Sequence, residues 1–157
     1  MRYLALIPFV ALAACEDFLA LVSAPAVAPV TPPPVVETLD PTPPPPPPPQ
    51  ARTVEEFDTT TAEDRAEALA APEPAGETAL GTTIASLGSP TIPGIWMETP
   101  LVDALAMGRV EHAGQSVNVE LRPSGGAAGS GSQISLAAMR LLEVPLTALP
   151  ELSVFVN

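Results

Sequence analysis

The chain of 157 residues has one cysteine, one histidine and few aromatics: one tryptophan, one tyrosine and four phenylalanines. It has no lysine, so all six basic residues are arginines, set against 18 carboxylates for a net charge of −12. Each shortage removes a class of function. Neutralising phosphates takes clustered Lys or Arg, and no basic stripe exists here, which excludes nucleic acid as a partner. The same lack excludes attachment to a membrane surface through a polybasic patch. A single cysteine allows no internal disulfide and no Cys-rich metal site. Its place at position 15 leaves the remainder without a thiol nucleophile. One histidine, His112, rules out His-rich metal centres and two-histidine mechanisms. At the end of an expected strand it reads as a solvated side chain. No metal and no cofactor is expected.

Proline, by contrast, is abundant: 22 residues, most of them between Pro25 and Pro74. Ahead of them stands a different segment. Arg2 supplies a positive n-region, Tyr3 to Leu12 an apolar stretch, and Ala13-Ala14 the small residues that a signal peptidase requires. The closing tetrapeptide Leu12-Ala13-Ala14-Cys15 resembles the lipobox of bacterial lipoproteins. The resemblance implies a signal peptide over 1–14, cleavage between Ala14 and Cys15, and acylation of Cys15 by palmitate-type chains. The partner would then be membrane lipid, reached through Cys15. Each buried methylene contributes about 0.8 kcal/mol, so two or three acyl chains anchor stably where one does not. The apolar stretch is too short to span a bilayer by itself. The expected location is the envelope of a Gram-negative type bacterium, membrane-anchored with the folded part in the periplasm.

Residues 15–78 read as a disordered, Pro-rich acidic tether. Seven consecutive prolines, Pro43 to Pro49, remove backbone donors and favour polyproline II, giving a semi-rigid spacer of about 20 Å. The competing reading of that run is a ligand for an aromatic groove. Thr53 with Glu56 and Thr61 with Asp64 are spaced as capping boxes. A transient helix is expected over 61–71, ended by Pro72 and Pro74, with an apolar stripe too thin for stability without tertiary support. The carboxylates Glu55, Glu56, Asp58, Glu63, Asp64 and Glu67 read as a solvated face, because hard-cation loops use turn glycines and none occurs here.

Residues 79–157 read as a small β-rich domain. Gly81 to Ser86, Ile95 to Met97, Met107 to Glu111 and Leu152 to Val156 have strand character, and Ala113-Gly114-Gln115 a hairpin turn. The clearest strand is Ser116 to Arg122, where Val117, Val119 and Leu121 alternate with Asn118, Glu120 and Arg122, predicting one wet face. Pro123 to Gly131 is a Gly/Ser/Ala loop. Ser135 is placed to cap a helix over 136–142, with Ile134 and Met139 as a hydrophobic staple and Pro145 as the stop. The fold class is therefore mostly β: a small barrel-like domain with one short helix, preceded by the signal peptide and the stalk. Closure into a barrel removes exposed strand edges.

The stretch Gly114-Gln115-Ser116-Val117 and the helix start Ile134-Ser135-Leu136-Ala137-Ala138 are similar in plan to the double-psi β-barrel of the rare lipoprotein A family. The likeness covers about 50 residues and implies a peptidoglycan-directed domain. Where lytic members of that family carry an acid after the hairpin strand, this chain has Arg122-Pro123-Ser124-Gly125-Gly126, so the expected acid falls on Pro123. A glycosidic bond needs a positioned general acid and a stabilising partner. The carboxylates Glu98, Asp103, Glu111, Glu120, Glu143 and Glu151 form no recognisable pair. No catalytic residue is assigned. The reading is a non-catalytic binding or structural module contacting peptidoglycan or an envelope protein, with Trp96, Ser124 and Gly125 as candidate contacts. Trp96 also fits a core plug. The alternative is a lyase, either a degenerate lytic transglycosylase or a D-galactarate dehydratase-like protein. The latter calls for a metal site and a cytoplasmic substrate, which this sequence does not offer.

Overall fold

In the computed structural model, residues 39–40, 42–70 and 76–157 are described, all within the unit Val36–Asn157. The expected signal peptide, the expected cleavage and acylation site Ala14-Cys15 and the start of the expected tether lie outside the described residues.

Six strands close into a barrel: β1 (Thr78–Leu87), β2 (Trp96–Thr99), β3 (Ala106–His112), β4 (Gln115–Pro123), β5 (Ser132–Ile134) and β6 (Glu151–Val156), in the spatial order β1-β5-β2-β4-β3-β6. Two neighbouring pairs, β1 with β5 and β2 with β4, are parallel, and the other four are antiparallel. Parallel neighbours need long connections, so each pair joins strands distant in sequence. The hairpin β3–β4 is the local unit. Ala113 (φ 50°) and Gly114 (φ 87°) form its two-residue turn, with His112 paired to Gln115. Positive φ at both central positions matches the right-handed twist of the flanking strands.

The alternation in β4 sends Val117, Val119 and Leu121 inward, where they meet Ala85, Met97, Val110, Ile134, Leu152 and Val154. This core contains no aromatic residue. Strand β5 lies between the loop expected over Pro123 to Gly131 and the expected helix, and the sequence does not announce it, because three residues carry no period of their own. The helix α3 (Leu136–Leu141) starts where expected, capped by the Ser135 hydroxyl accepting from Ala138 N–H at 3.2 Å. Ile134 and Met139 are both fully buried in the core. Its end is set by Glu143, at φ 55°, rather than by Pro145. Val144 N–H donates to the Met139 carbonyl and Glu143 N–H to the Arg140 carbonyl, the Schellman arrangement with a non-glycine in its left-handed position.

The expected tether differs most. Its described part, 39–70, is a strap laid on the barrel. Thr53 and Thr61 cap two short helices, α1 (Val54–Phe57) and α2 (Ala62–Ala68), each through a reciprocal box with Glu56 and Asp64. Tertiary support comes from three places. Asn118 Nδ2 donates to the carbonyls of Glu67 (3.3 Å) and Ala70 (3.1 Å), satisfying orphan acceptors at the end of α2. Ala68 is buried against the core. The Asp58 carboxylate, its side chain 3% exposed, accepts from Arg140 at 2.7 Å and pairs with Arg65 at 3.3 Å. The face of β4 expected to be wet is therefore covered: Glu120 is only 5% exposed. Asn118 and Glu120 alternate outward as the sequence indicates, and the strap takes the place of solvent.

Two measurements follow from this packing. The left-handed position of Glu143 costs a residue with a Cβ about 1 kcal/mol, so Glu143→Gly is expected to stabilise the protein by about that amount in urea denaturation. No gain would mean that the Glu143 conformation is not strained. Burial alone would raise the Asp58 pKa, but the Thr60 hydrogen bond and the charges of Arg65 and Arg140 outweigh it and hold the carboxyl below its ordinary 3.8. A depressed pKa contributes stability above the unfolded value and loses it as pH falls through the folded one. Hydrogen-exchange protection of α1 and α2 is accordingly expected to fall below about pH 4, and Asp58→Asn to weaken it at neutral pH and flatten the profile.

Candidate functional site

The outward row of residues on four adjacent strands follows from register. Ser86 on β1 pairs with Gln133 on β5, Gln133 with Glu98 on β2, and Glu98 with Arg122 on β4. Directly paired residues share a face, so a serine, an amide, a carboxylate and a guanidinium lie side by side across the sheet. Arg122 is committed. Its Nε donates to Glu120 at 2.6 Å, and its guanidinium sits 5.1 Å from the Trp96 ring centroid. The Glu98 carboxylate makes no hydrogen bond or ion pair with any other described side chain, and the residue is half-buried.

An open groove of about 560 Å³ runs over Ser86, Gln133 and Glu98 of this row. The loop 124–131 forms one wall, contributing Ser124, Gly126 and Ser130, and the exposed apolar side chains of Ile84 and Leu149 flank it. A smaller depression of about 240 Å³ shares Ile84, Gly129 and Gly131 with it and ends near Glu151. The loop holds its shape through a Ser130 N–H to Ala127 carbonyl turn, and the Ser124 amide ties it to β2 at the Thr99 carbonyl, 3.1 Å away. Beneath the groove, hydroxyls link β1, β5 and β2. Ser132 Oγ lies 2.9 Å from Thr83 Oγ1 and donates to Thr99 Oγ1, also at 2.9 Å. The lining offers hydroxyls, an amide, backbone groups and one carboxylate in each depression, Glu98 and Glu151, with no basic side chain in either. Such a surface suits an extended ligand rich in hydroxyls or amides and disfavours one bearing dense negative charge.

Of the residues expected to contact a ligand, Ser124 lines this groove. Gly125 sits in the same loop at φ 65° but not among the lining residues. Trp96 is elsewhere in function although it shares the outer face of β2 with Glu98. It is 1% exposed. Its Nε1 donates to the Ile92 carbonyl at 3.3 Å, and its ring lies so close to Gly88 that a Cβ there would stand 2.5 Å from Cη2. In this conformation it is a plug under the 88–95 loop, with no face open to solvent. His112 Nδ1 lies 3.0 Å from the Glu151 carbonyl and takes no part in the groove. Glu98 and Gln133 went unrecognised as site residues. No motif marks them, and only strand register makes them neighbours. Among the described residues no three His, Cys, Asp or Glu side chains gather to hold a metal ion. No helix among them is long and apolar enough to cross a membrane.

Arg109 forms a second charged cluster, away from the groove. It donates to both Glu77 oxygens (2.7 and 2.6 Å) and to Glu111, and its guanidinium stacks 4.4 Å from the Phe155 ring centroid. The hydrogen bond to Glu77 is the main cause of its raised pKa. Every group in the cluster is engaged, so it reads as a clamp between β1, β3 and β6.

A plug is tested by removing it. Trp96→Ala is expected to cost about 3–5 kcal/mol in urea unfolding, whereas Glu98→Gln, which breaks no contact, should leave the midpoint unchanged. A small cost at Trp96 would place that ring outside the packing. Comparison with protein-family models, with curated proteins and with solved structures finds no match for this chain.

Proposed function

We propose that the protein is a lipid-anchored component of the cell envelope whose barrel binds an extended polar polymer without cleaving it, with peptidoglycan as the ligand. The observation that carries this reading is the open groove lined by hydroxyls, backbone amides, Gln133 and a single carboxylate. Peptidoglycan strands present hydroxyls and N-acetyl amides along their length, and these meet such a lining through neutral hydrogen bonds, each of about 0.5–1.5 kcal/mol net. Modest affinity per contact is adequate for a tethered domain, because an anchor holds it at high effective concentration. The lipobox resemblance supports the anchor at Cys15. The barrel resemblance agrees with a closed sheet containing two parallel pairs.

A second reading, a lyase, is favoured by one observation: Glu98 is half-buried in the groove and free of partners among the described residues. A general acid needs such a position. It also needs a stabilising group, and no other carboxylate lines the same groove.

One experiment separates the two. The chain from Glu16 onward is incubated with isolated sacculi, and both co-sedimentation and released muropeptides are measured. Binding without release is expected. The double substitution Glu98→Ala with Gln133→Ala should weaken binding at least ten-fold, equivalent to about 1.4 kcal/mol. Release abolished by Glu98→Gln would establish the lyase instead. Absence of both would direct the search to an envelope protein.

A further inference from the structure

The seven-proline run does not stand clear of the barrel. Pro44 is buried, and its Cδ lies 3.9 Å from the point where a Cβ on Gly94 would sit, as does Trp96 Cδ1. Gly94, at φ 96° and without a side chain, thus leaves a shallow seat between a proline ring and an indole. The segment is held at both ends. Leu39 N–H donates to the Glu120 carboxylate, and the Thr59 hydroxyl donates to the Pro45 carbonyl at 2.6 Å. A turn from Pro48 to Ala51, closed by a 2.9 Å hydrogen bond, then redirects the chain. Polyproline offers no N–H groups, only ring faces and carbonyls. It is recognised by aromatic surfaces at little conformational cost, because the run is already extended. The outer face of β2 offers such a surface in the Trp96 indole beside Gly94.

We propose that Gly94 and the adjoining Trp96 form a binding site for polyproline II segments, filled in this chain by its own residues 42–49. The occupant is the cis segment, so the proline run is a ligand as well as a spacer. Within 39–70 only Pro44, Thr60 and Ala68 are buried, and the remaining attachment is polar. Segments with few buried apolar contacts open at far lower cost than whole domains. Release uncovers the site.

Trp96 is the sole tryptophan, which makes the site directly observable. In the full chain, Pro43–Pro49 is replaced by alternating Gly and Ser, and a synthetic peptide of residues 41–50 is titrated while Trp96 fluorescence is followed. Saturable binding to this variant is expected, at least ten-fold tighter than to the native chain, whose site is filled. A peptide of alternating Gly and Ser serves as control. A folded variant that ignores the peptide, or equal affinity in both proteins, would overturn the assignment. Should the seven-residue change prevent folding, Pro44→Ser is read by acrylamide quenching of Trp96 and tryptic cleavage at Arg52. A several-fold rise in both supports the site, and unchanged values overturn it.

Discussion

The barrel depends on β5. Three residues, Ser132 to Ile134, hydrogen-bond in parallel to β1 and antiparallel to β2, and without them the sheet would open with two unpaired edges. Each of the three also does something besides pairing. Ser132 joins the hydroxyls of half-buried Thr83 and buried Thr99 across three strands, Gln133 faces the groove, and Ile134 is fully buried in the core. Ser135, the next residue, caps α3 while its Oγ accepts from Trp96 N–H and its own N–H donates to the Trp96 carbonyl. Closure, core, groove floor and helix start are thus consequences of one short stretch of chain. Its placement requires contacts from residues tens of positions away, so it carries a large loop-closure cost that only the assembled sheet offsets.

A core of Ala, Val, Leu, Ile and Met with no ring in it is small for a closed barrel. The aromatic and charged residues work on the outside instead. Trp96 lies under Arg122, which is paired to Glu120, and Phe155 lies under Arg109, which is paired to Glu77 and Glu111. Cation–π stacking combined with a shielded ion pair fixes each guanidinium in one orientation. These two clusters bind the strap and the start of β1 to the sheet, extending burial beyond what the aliphatic interior provides.

The groove and the strap lie on neighbouring parts of the same outer surface, one around Glu98 and the other around Trp96, two residues away on β2. In this conformation the polar groove is open while the aromatic face is covered. Groove and aromatic seat therefore differ in chemistry: hydroxyls, an amide and a lone carboxylate in one, an indole and a committed ion pair in the other. On the two proposals above, that division gives one small domain two recognition surfaces.

Local chemistry was legible from the sequence wherever a signal is contained within a few residues. The alternation of Val117, Val119 and Leu121, the Ala113-Gly114 turn, the Ser135 cap and the boxes at Thr53 and Thr61 each depend on neighbours within four positions, and each appears where its spacing indicates. Only tertiary structure decided what those elements meet. The outward face of β4 has the pattern of a wet surface, yet Glu120 is buried, with the Leu39 amide on its carboxylate and the end of α2 against neighbouring Asn118. The strap itself has too little apolar periodicity to announce a partner, since its docking uses backbone carbonyls, one proline ring and single charges. Glu98 and Gln133 come together by register between strands 35 positions apart, information that resides in no local pattern. Composition and local spacing determined the elements, and long-range hydrogen bonding, which joins residues with no sequence relation, determined the surfaces they make.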